Sequence, residues 1–298
     1  MAFDDLPPQP PIYPAEAEAY AQRALALSRK AAAEVPHHFD IPYGADYWQR
    51  IDIYQPTAPA PRPLPVLLFA HGGAWTHGYK EWMGLMAPAI TAFPAIFVSV
   101  SYRLAPANRF PLPLDDCIAA LAWCHANIAR YGGDPARISV GGHSAGGHLY
   151  ALATLRRDLL RRAGLPADVV KTCFSVSAQL NLVFEAPVPG SGEHRIYEMF
   201  LARREDAVAA SPFHHIAGNT TPFVLAAGDR DFPRIMRSNE AMNAALRQLP
   251  APVEHLTFAG YDHFDMALDL ANPANAIVQA MRRHMLAPSR TAPIAATL

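Results

Sequence analysis

The chain has 298 residues, 51% of them hydrophobic, and a formal charge of -1 from 25 basic and 26 acidic residues. That length and apolar content can bury a large core, and α/β folds of this size often form one domain. The near-neutral charge, with Lys30, Lys80 and Lys171 as the only lysines, offers no footprint for nucleic acid or an anionic membrane, and no apolar run approaches the ~20 residues needed to span a bilayer.

The start, Met-Ala-Phe-Asp-Asp, is acidic and runs into Pro7, Pro8, Pro10, Pro11 and Pro14, so no secretory signal is read there. Residues 1–35 are expected to form an extended arm and then an alanine-rich helix over about 15–33, lying over the site or the sheet edge. Residues 38–42 and 47–54 alternate through Trp48, Ile51 and Ile53 around Gly44 and predict an antiparallel strand pair. The proline-rich stretch 56–65 reads as a surface connection.

From there the pattern is strand then helix, repeated. Residues 66–70, 95–101, 138–142, 170–177, 223–227 and 253–258 are short apolar runs of the kind found in parallel strands buried on both faces. Helices are predicted between them, near 80–92, 114–130, 145–162 and 234–249, with a last one near 273–286. The alternation implies a mostly parallel, doubly wound α/β sheet flanked by helices, with ligands bound at the carboxyl ends of the strands. Residues 181–216 break the rhythm, being irregular and rich in apolar side chains, and read as a small lid. Residues 287–298 read as a flexible tail, and 1–298 as a single domain.

Cys117 and Cys124 lie seven apart in a helical pattern, about 10 Å along the axis, which is too far for a disulfide. With Cys173 in a predicted strand, all three read as buried, reduced thiols, and a cytoplasmic protein is the expectation.

The chemistry concentrates at Gly142-His143-Ser144-Ala145-Gly146, where a β-branched run ends and a helix opens. A G-x-S-x-G turn of this kind holds its serine on a sharp strand-to-helix bend, with small residues on both sides so that the chains can pass closely. It exposes the Ser144 hydroxyl, and the Ala145 N–H at the helix start favours negative charge. A serine hydroxyl needs a base, and the base an orienting carboxylate. The candidates follow two later strands, in Gly228-Asp229-Arg230-Asp231 and Gly260-Tyr261-Asp262-His263. His263 is assigned as base and Asp231 as its orienter; spacing alone leaves Asp229 as the alternative. His71-Gly72-Gly73-Ala74-Trp75, after the strand 66–70, is expected to supply further oxyanion donors from Gly72 and Gly73.

Thirteen histidines raise a metal reading, with His37-His38, His214-His215 and His143 with His148 as clusters. Adjacent histidines cannot easily face one ion, and no H-E-x-x-H or paired cysteine spacing occurs, so no metal is expected. The absence of glycine-rich phosphate motifs removes support for a nucleotide cofactor.

His71 to Trp75, the segment Ser101-Tyr-Arg-Leu-Ala-Pro-Ala-Asn-Arg-Phe-Pro111 with Asp115-Asp116, and Tyr131-Gly-Gly-Asp-Pro135 resemble the hormone-sensitive-lipase-like branch of the α/β-hydrolases. Gly260-Tyr-Asp-His-Phe-Asp265 and the H-G-G-x-W form are more similar to kynurenine formamidase (arylformamidase). The resemblance spans about residues 66–265. It implies an α/β-hydrolase fold and cofactor-free hydrolysis of a small-molecule carboxylic ester, or of an activated amide such as an N-formyl or N-acyl aniline. By the matching motifs it also implies a Ser144, Asp231 and His263 triad with Gly72, Gly73 and Ala145 as oxyanion donors. Trp75, Phe184, Tyr197, Met199 and Phe200 could line an aromatic acyl or leaving-group site, or equally form the core of the lid. A general small-ester carboxylesterase is the nearest alternative; a non-catalytic binding protein on the same fold is the alternative from another class.

Overall fold

The computed structural model describes residues 3–10, 15–58, 60 and 63–287. In chain order it contains α1 (Glu16–Glu34), β1 (His37–Pro42), β2 (Arg50–Tyr54), β3 (Leu64–Ala70), α2 (Ala87–Thr91), β4 (Ile96–Val100), α3 (Leu112–Asn127), β5 (Gly133–His143), α4 (Ala145–Leu155) and α5 (Arg157–Arg162). Then come β6 (Val170–Val176), α6 (Gly192–Arg195), β7 (Phe223–Gly228), α7 (Pro233–Leu246), β8 (Val253–Phe258), α8 (Asp265–Leu268) and α9 (Ala276–Leu286). The expectations for positions 1–2, 11–14, 59, 61–62 and 288–298 lie outside the described residues.

The strands form one eight-stranded sheet in the order β1-β2-β4-β3-β5-β6-β7-β8. β1 and β2 run antiparallel to each other, β2 is antiparallel to β4, and the remaining pairs are parallel. Side chains alternate between the faces of a strand. Val66, Leu68, Val140 and Leu225 therefore pack on α3 and α4 through Leu114, Leu121, Leu149 and Leu152. Leu67, Phe69, Phe174 and Val224 pack on the opposite layer, against Met83, Ile90, Met266, Ile277 and Met281. Both faces are covered, which is why the central strands are apolar at nearly every position. Each such side chain contributes about 1.5–3 kcal/mol on full burial. Cys117, Cys124 and Cys173 are buried and unbridged. Among the described residues no helix is long and apolar enough to cross a membrane.

Two predicted helices differ in detail. The stretch 80–92 is a 3₁₀ segment, Lys80–Met86, followed by the short α2, because Gly84 and Pro88 interrupt a regular helix there. The stretch 145–162 is broken at Arg156, whose ψ of 63° leaves the helical region. Its guanidinium grips Asp158 through two 2.9 Å hydrogen bonds in the first turn of α5, where a carboxylate is favoured. β5 begins earlier than expected, at Gly133, and β2 later, at Arg50. The 181–216 segment carries α6, a π-helical turn at Ile196–Phe200, and 3₁₀ turns at Arg204–Ala207 and Pro212–His215.

One charged cluster lies inside the fold. Lys80, 3% exposed, contacts Asp52 at 3.0 Å, Asp40 at 2.9 Å, and Glu81. Burial pushes the Asp52 and Glu81 carboxyls above their usual range, with Lys80 opposing that rise. Burial by itself would lower the Lys80 pKa, but the two carboxylates raise it above its ordinary value. Removing the cation should leave buried carboxylates uncompensated, so Lys80→Met is expected to cost about 3–5 kcal/mol at pH 8. Carboxyls whose folded pKa is raised hold protons more tightly in the native state, so their penalty grows as pH climbs above the ordinary carboxylate value. The loss measured by urea unfolding should accordingly be smaller at pH 5 than at pH 8; an equal loss at both would refute this account.

Candidate active site

β5 delivers the chain to Ser144 and α4 carries it away. Ser144 has φ 51° and ψ −116°, a conformation that side-chain-bearing residues seldom adopt, and its N–H donates to the Val176 carbonyl at 2.8 Å. The glycines on either side are required by contact: a Cβ on Gly142 would lie 2.2 Å from the Gly146 carbonyl carbon, and one on Gly146 would lie 2.2 Å from the Ala70 carbonyl oxygen. Only bare backbone lets α4 start this close to the ends of β3 and β5.

The Ser144 hydroxyl donates to His263 Nε2 at 3.0 Å, across 119 residues of sequence. His263 Nδ1–H in turn donates to Asp231 Oδ1 at 2.9 Å. Asp231 is 3% exposed and His263 7%. Burial pushes the Asp231 carboxyl up, but the hydrogen bond and charge of His263 more than offset this and hold it below its usual value. It is thus an ionised acceptor that also receives the Phe232 N–H at 2.7 Å. Asp229, the alternative orienter, makes a different contact: its Oδ1 accepts the Gly260 N–H at 2.7 Å. One aspartate faces the imidazole, and the other fastens the backbone of the loop that carries it.

The histidines grouped in the sequence part company in space. His143 Nε2–H donates to the His263 carbonyl at 3.0 Å, bracing the same loop from below. Burial, helped by the charge of His263, takes its pKa down to about 3, so it stays a neutral imidazole. His148 accepts the Trp75 indole N–H at 3.1 Å and donates to the Ala210 carbonyl at 2.6 Å, tying α4 to both the His71–Trp75 loop and the 181–216 segment. Its pKa falls to about 4 through burial. Among the described residues no three His, Cys, Asp or Glu side chains gather as a metal site. His143 and His148 are structural parts that the sequence reading entertained only as a metal pair.

The His71–Trp75 loop turns back sharply, with φ of 113° at Gly73, 51° at Ala74 and 61° at Trp75. The Gly73 carbonyl holds it by accepting the N–H groups of Thr76 and His77, and His77 reaches the Pro10 carbonyl at 3.0 Å. Gln9 braces it further, donating to the Gly78 carbonyl at 3.0 Å and accepting the Gly78 N–H at 2.9 Å. Gly73 and Ala74 line the cavity beside Ser144. Gly72, expected as a donor, does not: it is wedged between His143 and Ser144, where a Cβ would lie 2.7 Å and 3.1 Å from their side chains. Its carbonyl accepts His71 Nδ1–H at 2.6 Å. Ala145 is the first, buried residue of α4.

The cavity measures about 290 Å³, enough for a small ligand. Tyr20 of α1, Trp75, Met199, Ile196 and Phe232 form its apolar walls. Of the five predicted pocket residues, Trp75 and Met199 line it, whereas Phe184, Tyr197 and Phe200 do not. Phe200 is fully buried and stacks on Trp75 at 4.3 Å. The Tyr197 hydroxyl accepts the Phe184 N–H at 2.7 Å and donates to the Phe184 carbonyl at 3.1 Å, closing the 181–216 segment on itself. The turn that carries Ile196 to Phe200 is π-helical, so its side chains do not fall on faces at α-helical spacing. Arg195 and Arg234, which the sequence reading did not single out, also reach the cavity.

A family model described as alpha/beta hydrolase fold matches residues 67–266. Among curated proteins, esterase LipC of Mycobacterium tuberculosis is 34% identical over 209 residues, covering 65% of this chain and 51% of LipC. Esterase LipQ of the same organism is 31% identical over 254 residues, covering 78% of this chain and 57% of LipQ. The chain thus spans little more than half the length of these relatives. The solved structure of an esterase from Pyrobaculum calidifontis superposes with a TM-score of 0.72 at 22% identity, covering 90% of this chain and 91% of that one.

Proposed function

The chain belongs to the alpha/beta hydrolase fold family, and from that premise we propose that it is a serine hydrolase that cleaves carboxylic esters of small molecules through an acyl-enzyme on Ser144. The observation that carries the reading is the unbroken hydrogen-bonded line from Asp231 through His263 to Ser144. Ser144 Oγ attacks the ester carbonyl carbon while its proton passes to His263 Nε2. Asp231 stabilises the resulting imidazolium through the Nδ1–H bond without taking the proton. The carbonyl oxygen becomes an oxyanion, received by the N–H of Ala145 at the start of α4, next to the nucleophile, and by those of Gly73 and Ala74, which line the cavity where Gly72 is wedged behind it. Collapse of this intermediate breaks the ester C–O bond, and His263 returns the proton to the leaving alkoxide. Water then adds to the acyl carbon by the same route in reverse and frees Ser144. The 181–216 segment acts as the lid over this chemistry. That the relatives LipC and LipQ are named esterases supports the reading.

A second reading keeps the triad and changes the bond. The Gly260–Asp265 motif and the aromatic cavity walls Tyr20 and Phe232 favour an aryl formamide or N-acyl arylamine. An amidase must protonate a poorly leaving amine, so the two readings separate on matched substrates. With 4-nitrophenyl acetate, 4-nitroacetanilide and 4-nitroformanilide, the ester is expected to exceed the anilides in kcat/KM by at least about 10³-fold. A ratio near one would replace the esterase reading with the formamidase one, and failure to turn over any of the three would remove both.

A further inference from the structure

The cavity beside Ser144 is apolar except for a few groups, and two of these are arginines outside the hydrolytic line. Arg234 enters from the first turn of α7, three residues after Asp231. Its guanidinium lies 4.7 Å from the centre of the Phe232 ring and packs on Gly192, where a Cβ would come within 2.9 Å of a guanidinium nitrogen. Its Nε is buried and has no hydrogen-bond partner. Among the described residues no carboxylate reaches it at ion-pair distance; Glu193 and Asp231 act on it only from farther away, and Asp231 is bonded to His263. Arg195 reaches the same cavity from α6, in the turn that Ser191 caps by accepting the His194 N–H. Two cations therefore approach one small cavity from different elements.

A guanidinium so placed has given up part of its hydration, and burial lowers the Arg234 pKa. Phe232 receives one face of the group but offers no acceptor to its N–H edge. An incoming anion would supply one, and the planar fork of arginine suits a carboxylate, which can accept two N–H groups side by side. A neutral, purely aliphatic substrate would leave these donors facing hydrocarbon, which is unfavourable.

We propose that the cavity selects substrates carrying a carboxylate near the scissile bond, with Arg234 and Arg195 as the residues that receive it. This rests on the hydrolase reading above and names its substrate class: half-esters of short dicarboxylic acids, or esters whose leaving group bears a carboxylate. It also gives the turn that leads into α7 a double task, since one short stretch from Asp231 to Arg234 orients the base and holds the substrate.

The test compares matched pairs. For a carboxylate in the acyl part, the pair is mono-4-nitrophenyl glutarate and 4-nitrophenyl pentanoate; for one in the leaving group, it is 4-acetoxybenzoate and its methyl ester. In the wild-type protein the anionic member of one pair is expected to exceed its neutral partner in kcat/KM by about 10- to 100-fold, the range of a charge-assisted hydrogen bond. The pair that shows it identifies the side of the bond. In Arg234→Gln that ratio should collapse toward one, in Arg195→Gln it should fall, and in Arg234→Lys part of it should survive. A strut that merely supports α6 would lower both members together and leave the ratio as it was. A wild-type preference for the neutral member in both pairs, or a ratio untouched in Arg234→Gln, overturns the proposal while leaving the hydrolase intact. Absence of turnover on all four esters overturns the hydrolase reading and this one with it.

Discussion

Ser144→Ala is expected to lower kcat on a short aryl ester by about 10⁶-fold and to abolish covalent labelling by a fluorophosphonate. The substitution removes only the Oγ atom. The Ser144 N–H bond to Val176 is a backbone contact and survives, so the elbow should keep its shape. Nothing then remains to form the acyl bond, and residual turnover would come from water attacking a bound ester. Intact mass should show one adduct on the wild type and none on the variant, with peptide mapping placing it in the segment spanning β5 and α4. More than about 1% of wild-type turnover in a folded variant, or an adduct at another residue, would rule out Ser144 as the nucleophile.

The second large effect concerns the two aspartates after β7. Asp231→Asn should reduce kcat by about 10⁴-fold, because an amide that turns its NH₂ toward Nδ1 selects the wrong imidazole tautomer and cannot stabilise the imidazolium. Asp229→Asn keeps an oxygen to accept the Gly260 N–H and should stay within about tenfold of wild type. Measured side by side, the pair separates orientation of the base from fixation of its loop. Equal losses would mean that Asp231 acts mainly on loop structure, and a larger loss in Asp229→Asn would reverse the assignment. Combining Ser144→Ala with Asp231→Asn should add almost nothing to the first effect, since residues that work as one unit are far from additive.

Much of this molecule can be read from its amino-acid order. Apolar runs such as Leu64–Ala70 and Ile96–Val100 alternate with helical stretches because a sheet covered on both faces needs them, whereas Val253–Phe258, at the sheet edge, carries Glu254, His255 and Thr257 and buries none of its residues. What escaped the reading depends on direction more than on residue type. Tyr197, Met199 and Phe200 are all large and apolar, but the π-helical turn that carries them sends Met199 to the cavity, Phe200 onto Trp75 and Tyr197 onto Phe184. Arg156 resembles any other helical arginine, and nothing in its residue type marks the break at which it pairs with Asp158. Asp229 and Asp231 have the same chemistry and nearly the same position, and only the path of the Gly260–His263 loop tells them apart. Arg234 stands between Arg230 and Arg237 in the sequence, and only the path of the chain into α7 sends it, rather than either of them, to the cavity.

The bond between Ser144 and His263 joins groups 119 residues apart, delivered by strands on the two sides of β7. Closing so long a loop is entropically costly until the intervening parallel strands have paired, and non-local pairings of this kind are the slow part of folding. A chain that has made its helices and its first strands holds a serine elbow without a base. The proposed ester hydrolysis therefore counts only molecules whose sheet is complete from β5 through β8, whereas circular dichroism counts every helix already formed. The two signals divide the refolding of this chain into its local and its long-range stages.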